Sequence, residues 1–328
     1  MEPKLHEIDP KGDTLLILHN PDAPFAAQNS RFSVRGVRAA VKPEVRMRLS
    51  SRHLTLASAY FEKMLANDWK ETTPEGDYSY VVKAEDWDEE ALLIMMNIIH
   101  GRTAKLPMAM NLETLAKICA LVDYYQCHEA LKFFNQLWLG RIDRRSYTGR
   151  DLLLRLSVAC VFPDRTKFQN LTMSLIKESK WPIESLGLPI PQSVIDALNK
   201  QREHYISAII TGLKELIKAE CSDNGRKCSF ECSSAFIGAL IKGMDKARIS
   251  EEYLSLPPYT GHSLESLQQV ILGFAEPSWN KICVNRRNSM TYNSASFCTL
   301  ANTTKPLVEG YINQVVGLVL RNYITHSV

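Results

Sequence analysis

Cys228-Ser-Phe-Glu-Cys232 sets two thiols one helical turn apart, a spacing within the range of zinc-binding pairs. A tetrahedral zinc needs four ligands, and Cys221, His262, Cys283 and Cys298 are the remaining candidates in the same C-terminal third. Two readings stay open. In one, Cys228, Cys232 and Cys298 are three ligands of a structural zinc whose fourth ligand is unassigned. In the other, which carries more weight, Cys228 and Cys232 are small reduced hydrophobes that cap and pack the start of a helix over Ala235 to Met244.

The remaining reactive side chains point away from catalysis. Cys127 precedes His128, but adjacent residues on a helix project about 100° apart and do not face each other as nucleophile and base must. His53 and His100 suit core or capping roles. The carboxylates of Glu85-Asp86 and Asp88-Glu89-Glu90 surround a predicted helix start, where the helix dipole favours negative charge. The chain has neither G-x-G-x-x-G nor G-x-x-x-x-G-K-[ST], and its 15 glycines are scattered. It also lacks a G-x-S-x-G elbow and an H-E-x-x-H helix. The expectation is a protein that is not an enzyme.

The elements that must position these residues are those of an ordinary globular chain. Hydrophobic residues make up 45% and charged residues 23%, and 328 residues are long enough for two or three packed units. A formal charge of +3 falls short of the concentrated basic stripe that phosphate neutralisation requires. Arg31, Arg35, Arg38, Lys42, Arg46 and Arg48 do cluster, but solvated loop and strand faces commonly look this way, so direct nucleic-acid binding is not expected. The first residues carry no basic stretch followed by an apolar core, and the densest apolar run, Ala91 to Ile99, is too short to span a bilayer. An intracellular, cytoplasmic or nuclear protein with no membrane association is expected. Its eight cysteines then read as reduced core residues or metal ligands.

Strands are predicted at Asp13 to His19, Val45 to Leu49 and Tyr78 to Val82, from apolar runs, alternation and β-branched or aromatic content. Two short helices follow Ser50-Ser51, the second capped by Ser58. Asp86 to His100 reads as a helix apolar nearly all round and hence buried on more than one side. Leu112, Leu115, Cys119 and Val122 keep one face of the next helix, and Ala130, Phe133, Phe134, Leu137 and Trp138 keep one face of the helix after it. Between these helices, Leu106, Met108 and Met110 lie in a loop, where apolar residues must either fold back onto the core or stay available to a partner. Beyond Tyr147 the pattern is helical, with segments at Leu152 to Phe162 and Phe168 to Ile176. The longest helix runs from Pro191 to Glu220, with Ser193 and Asp196 at capping-box spacing. Further helices are marked by Leu264, Leu267, Ile271 and Phe274, and by Val308, Tyr311, Ile312, Val315 and Val319. The class is α+β.

At these residues the chain resembles a known family. His53-Leu-x-Leu-Ala-Ser58-x-x-Phe61-x-x-Met64-Leu65, Trp69-Lys70-Glu71, the helix ending Ile98-Ile99-His100-Gly101, and Leu121-Val-Asp-Tyr-Tyr-Gln-Cys-His128 are similar to the BTB/POZ domain in the form abundant in filamentous fungi. The resemblance covers residues 14–140. It implies a small β-sheet capped by helix hairpins, used to bind proteins rather than for chemistry. The organisation that follows is a flexible N-terminus over 1–12, a BTB/POZ domain over 13–145, a BACK-like helical region over 146–220 and a helical subdomain over 221–328. Similar proteins carry Cys-Ser-Phe-Glu-Cys and a later His-x-Cys. Here the later element is Ser296-Phe-Cys298, without the histidine.

The leading expectation is therefore a non-enzymatic interaction protein that recruits or assembles other proteins, with Leu106, Met108 and Met110 as candidate partner contacts. The alternative is a substrate adaptor of a cullin-based ubiquitin ligase. Such adaptors carry an apolar-x-Glu signature after the long apolar helix, and Thr103 to Met110 contains no Glu. A DNA-associated regulator would want a zinc-finger array or basic helix beside the domain. Self-association is expected to be weak or conditional. Only about a dozen residues, interrupted by Pro3, Pro10 and Gly12, precede the first predicted strand, too few for an exchanged strand and helix.

Overall fold

The structure, a computed structural model, describes residues 4–26, 42–66, 76–142, 149–222, 229–250, 256–282 and 298–324. It is α+β and divides into two compact units. The first comprises Met1–Phe168, Ser185–Pro191 and Leu320–Val328, and the second Gln169–Glu184 and Gln192–Val319. The first boundary was expected near residue 145. Helix α6 (Gly149–Val161) instead lies in the first unit, where it packs on α4 (Leu112–Tyr125).

A four-stranded sheet in the order β1-β3-β2-β4 organises the first unit. Strand β2 (Thr14–His19) pairs antiparallel with β3 (Val45–Leu49) and parallel with β4 (Tyr80–Glu85). Leu16 and Leu18 face the main core, whereas Leu15 and Ile17 meet Val81 and Tyr78 on the opposite face. Burial on both faces explains why β2 reads as an unbroken apolar run. In β3 the pattern alternates: Val45, Met47 and Leu49 are buried while Arg46 and Arg48 look outward. Those two arginines are engaged locally, Arg46 with Glu44 at 2.7 Å and Arg48 over the Tyr78 ring at 5.3 Å. Lys42 pairs with Asp22 at 2.6 Å; Arg31, Arg35 and Arg38 lie outside the described residues, as do Trp69, Lys70 and Glu71.

Two strands differ from expectation. β4 is displaced toward the C-terminus of the predicted Tyr78 to Val82 because its pairing with β2 runs from Thr14↔Tyr80 to His19↔Glu85, carrying the polar Lys83 and Glu85 into the edge. More consequentially, the N-terminal residues expected to be flexible contain a strand, β1 (Lys4–Glu7), parallel to β3. It has no apolar pattern of its own. Tertiary partners hold it: Glu89 takes Lys4 at 2.7 Å and His6 at 2.9 Å, and the Arg102 guanidinium donates to the carbonyls of Glu7 and Ile8.

Helices α1 (Ser51–Ala57) and α2 (Ala59–Ala66) are separated by Ser58, whose Oγ accepts from the Phe61 amide at 3.1 Å and donates to the Tyr125 carbonyl. Helix α3 (Glu89–Ile99) is capped by Asp88 and buries Ala91, Leu92, Ile94, Met95, Met96, Ile98 and Ile99, as its all-round apolarity predicts. On α5 (His128–Leu139) Trp138 and Leu131 are buried, but Phe133, read as a core residue, is 69% exposed. Phe134 and Trp138 share a face at i,i+4 with rings 5.7 Å apart, and Phe133 lies off that face.

The second unit is built around α8 (Gln192–Glu220), whose 29 residues span about 43 Å. It starts at Gln192, so Ser193 lies in its first turn rather than at the cap, and Asp196 accepts from the side-chain Nε2 of Gln192 at 2.8 Å. The rest of α7 (Arg165–Glu178), α9 (Phe230–Lys246), α10 (Leu264–Leu272), the short α11 (Trp279–Ile282) and α12 (Leu300–Asn313) complete the unit. At Gly212 the helix approaches α12 so closely that an added Cβ would lie 2.9 Å from a Leu307 methyl carbon. Phe274, Val315 and Val319, expected in helical stripes, fall beyond the ends of α10 and α12.

One polar contact in the first unit gives a pH dependence. His100 donates from Nδ1 to the Met96 carbonyl at 2.8 Å and accepts at Nε2 from the Ser50 amide at 2.9 Å, which fixes the neutral tautomer. Burial, and His53 stacked at 5.0 Å, hold its pKa below the ordinary 6.5. The unfolded chain then binds more protons than the native one, so this stabilisation is complete above pH 6.5 and is lost as pH falls through the lowered native value. His262, also lowered by burial and by Lys180 and Arg202, has the same sign. Asp13, Asp22 and Glu89 are held below their ordinary values, so their contributions fade only at still lower pH. The melting temperature is expected to fall from pH 7 to pH 5.5, with a flatter slope for His100→Gln, which keeps an acceptor but does not titrate. Thermal scans across that range test it, and an unchanged slope in His100→Gln would contradict it.

Candidate partner-binding surface

The loop between α3 and α4 is an exposed segment held by several hydrogen bonds. Gly101, at φ +69°, ends α3 in the left-handed conformation that glycine adopts without steric cost. A single 3-10 turn, Thr103–Lys105, follows. The chain is then pinned from α5 and the residues after it. Trp138 donates its indole N–H to the Pro107 carbonyl at 2.9 Å, and Arg141 donates to the carbonyl of Met108. Asn111 caps α4 by accepting from the Thr114 amide at 2.8 Å and closes the segment.

This scaffold separates the three candidate contacts. Leu106 and Met110 turn back and pack, half-buried, against the main core. Met108 does not: its side chain stands 69% exposed on a backbone held from below. Leu106 and Met110 thus fold back onto the core, and Met108 stays exposed. Beside the loop lies a cleft of about 550 Å³ between β1, α3 and the loop, its walls including Ile8, Leu93, Ile94 and Leu106, with Glu90, Arg102 and Lys105 among its charged residues. Phe133 is a further exposed apolar side chain, on the helix whose C-terminal end pins the loop. Partial burial opposes ionisation of Glu89, but Lys4 and His6 outweigh it and hold the carboxyl below its ordinary value.

Cys127, Cys119, Cys160, His100 and Asp88 are placed as packing and capping groups. Cys127 is buried, its thiol donates to the Met95 sulfur at 3.7 Å, and burial pushes its pKa up to about 12. Burial likewise pushes Cys160 up to about 12, and raises Cys119. His100 caps the start of α1 together with Asp13, which accepts from the Ser51 amide at 2.8 Å. Asp88 accepts from the Ala91 amide at 2.9 Å, the helix-start role its position implies.

Of the proposed zinc ligands, Cys232 is buried in the first turn of α9 and Cys298 is buried just before α12. Cys228 and Cys283 lie outside the described residues. Among the described residues, no group of three or more His, Cys, Asp or Glu side chains is placed to hold a metal ion. Ser229 caps α9, accepting from the Cys232 amide at 3.3 Å. The residues missed from the sequence are Trp138 and Arg141 as pins and Phe133 as an exposed side chain. Only Phe133 left a signal, since neighbours such as Phe133 and Phe134 cannot share one helical face.

No family model, curated protein or solved structure matches the chain. Among the described residues, no helix is long and apolar enough to cross a membrane.

Proposed function

We propose that this chain is a non-enzymatic interaction protein that recruits or assembles other proteins through a BTB/POZ-type first unit. The order of a strand pair, two short helices, a strand parallel to the first of the pair and then paired helices supports that reading, because it agrees with the small sheet and helix hairpins that the resemblance implies. The observation that carries the function is Met108, an unbranched apolar side chain held out by a loop with two hydrogen-bonded carbonyls. Methionine suits adaptable protein contacts, and a fixed backbone lowers the entropy lost when it is buried by a partner.

Met108→Asp introduces a charge at an exposed position and is expected to leave folding stability within about 0.5 kcal/mol of wild type. In quantitative co-purification from the native cell, it is expected to lower recovery of the bound proteins by at least about tenfold, as loss of a central apolar anchor does. Recovery unchanged from wild type would remove this loop from the interaction surface.

A further inference from the structure

The second unit holds an open groove along α9 that the reading of the first unit does not use. Its volume is about 850 Å³, and Gly238, Ala239, Gly243, Val270 and Phe274 contribute to its apolar lining. Phe274 packs over Gly243 so tightly that a Cβ there would lie 2.6 Å from the ring, so glycine is needed at that point of the groove. At Gly238 an added Cβ would meet nothing within 4 Å, so the groove is open there. The lined stretch from Ala235 to Ala247 extends about 18 Å, roughly three helical turns.

Charge determines which occupant suits it. Lys242 and Lys246 line the groove one turn apart, both exposed, and neither ammonium has an ion-pair partner among the described residues. Glu276, the acid in the lining, is already engaged. Its carboxylate accepts from the Leu300 and Ala301 amides at 3.0 Å each and from the Trp279 indole at 2.6 Å. Among the described residues, the uncompensated charge at the groove is therefore positive.

We infer that this groove binds an amphipathic helix of a partner protein, about three turns long, with bulky apolar residues over Gly238 and acidic residues facing Lys242 and Lys246. An apolar stripe at i, i+3, i+4 and i+7 fills a groove of this length, and small lining residues let its backbone approach α9. The lysines set orientation and discriminate against basic partners by like-charge repulsion.

The test uses the full chain and two synthetic fluorescein-labelled amphipathic helices with the same leucine stripe, one flanked by glutamates and one by lysines. Fluorescence anisotropy is expected to show binding of the glutamate peptide, weakening with salt, and at least tenfold weaker binding of the lysine peptide. Gly238→Leu places its Cβ where nothing lies within 4 Å and improves helix propensity, so it should melt no lower than wild type yet bind the glutamate peptide at least tenfold more weakly. The double change Lys242→Glu and Lys246→Glu should reverse the preference between the peptides. Absence of glutamate-peptide binding, or equal binding by wild type and Gly238→Leu, would overturn the inference. So would light scattering showing a dimer that Gly238→Leu dissociates, which would assign the groove to a second copy.

Discussion

Arg202→Ala is expected to unfold the second unit under conditions where the wild type is stable. Arg202 is fully buried in the middle of α8, and no carboxylate is within ion-pair distance among the described residues. Its partners are five backbone carbonyls. Nε donates to Ser179 at 2.8 Å, one terminal nitrogen to Pro258 at 2.8 Å, and the other to Lys180 at 3.2 Å, Tyr259 at 2.5 Å and His262 at 2.9 Å. Burial lowers its pKa, but a guanidinium stays protonated at any working pH. The side chain thus supplies the hydrogen bonds that irregular backbone around residues 179–180 and 258–262 cannot obtain from a helix or sheet. Truncation leaves the Ser179, Pro258, Tyr259 and His262 carbonyls without this donor, while the Lys180 carbonyl keeps the Gly261 amide at 2.8 Å, and each buried unsatisfied group costs about 1 to 3 kcal/mol. A loss of at least about 4 kcal/mol is expected, a large part of the 5 to 15 kcal/mol that separates native from unfolded domains. Arg202→Lys keeps the charge but has three donors for five carbonyls and should fall between. Urea unfolding monitored in the second unit measures the loss, and a midpoint for Arg202→Ala equal to wild type would contradict this account.

Leu213→Asp is expected to be nearly as damaging, for a different reason. Leu213 is fully buried, one residue from Gly212, where α8 and α12 are in close contact. The change removes a packed aliphatic side chain, worth about 2 to 5 kcal/mol in such sites, and adds a carboxyl that must be either desolvated or protonated. Leu213→Met conserves volume and should cost less than about 1.5 kcal/mol. Thermal melts of the pair check this. If Leu213→Asp melted like wild type, the α8 face that carries Leu198, Ile209 and Leu213 would have to be a free or partner-binding face.

The readable parts of the fold were those where one element's own pattern sets its fate. β2 declares itself because both its faces are buried, α3 because it is apolar all round, and Ser58 because its hydroxyl caps the helix that follows. What stayed hidden depends on partners distant in sequence. β1 is polar and short, and the carboxylate and guanidinium that hold it belong to Glu89 and Arg102. Arg202 occupies a place in the α8 stripe, between Leu198 and Ile206, where an aliphatic residue would be expected. Nothing local shows that loop carbonyls would satisfy it. The candidate surface was legible in composition but not in geometry. The sequence places three apolar residues in one loop, whereas the pins from Trp138 and Arg141, which separate Met108 from Leu106 and Met110, come from 30 or so residues away.

Site-specific photocrosslinking tests whether Met108 touches partner proteins. A photoreactive phenylalanine analogue at position 108, compared with one at the exposed position 218 on α8, is activated in the native cell and the adducts are resolved by mass. A small set of protein adducts is expected at 108, absent at 218, that disappear when untagged wild-type chain is added in excess but persist when Met108→Asp chain is added. Adducts that are the same at both positions, or that wild-type and Met108→Asp competitors remove equally well, would contradict it.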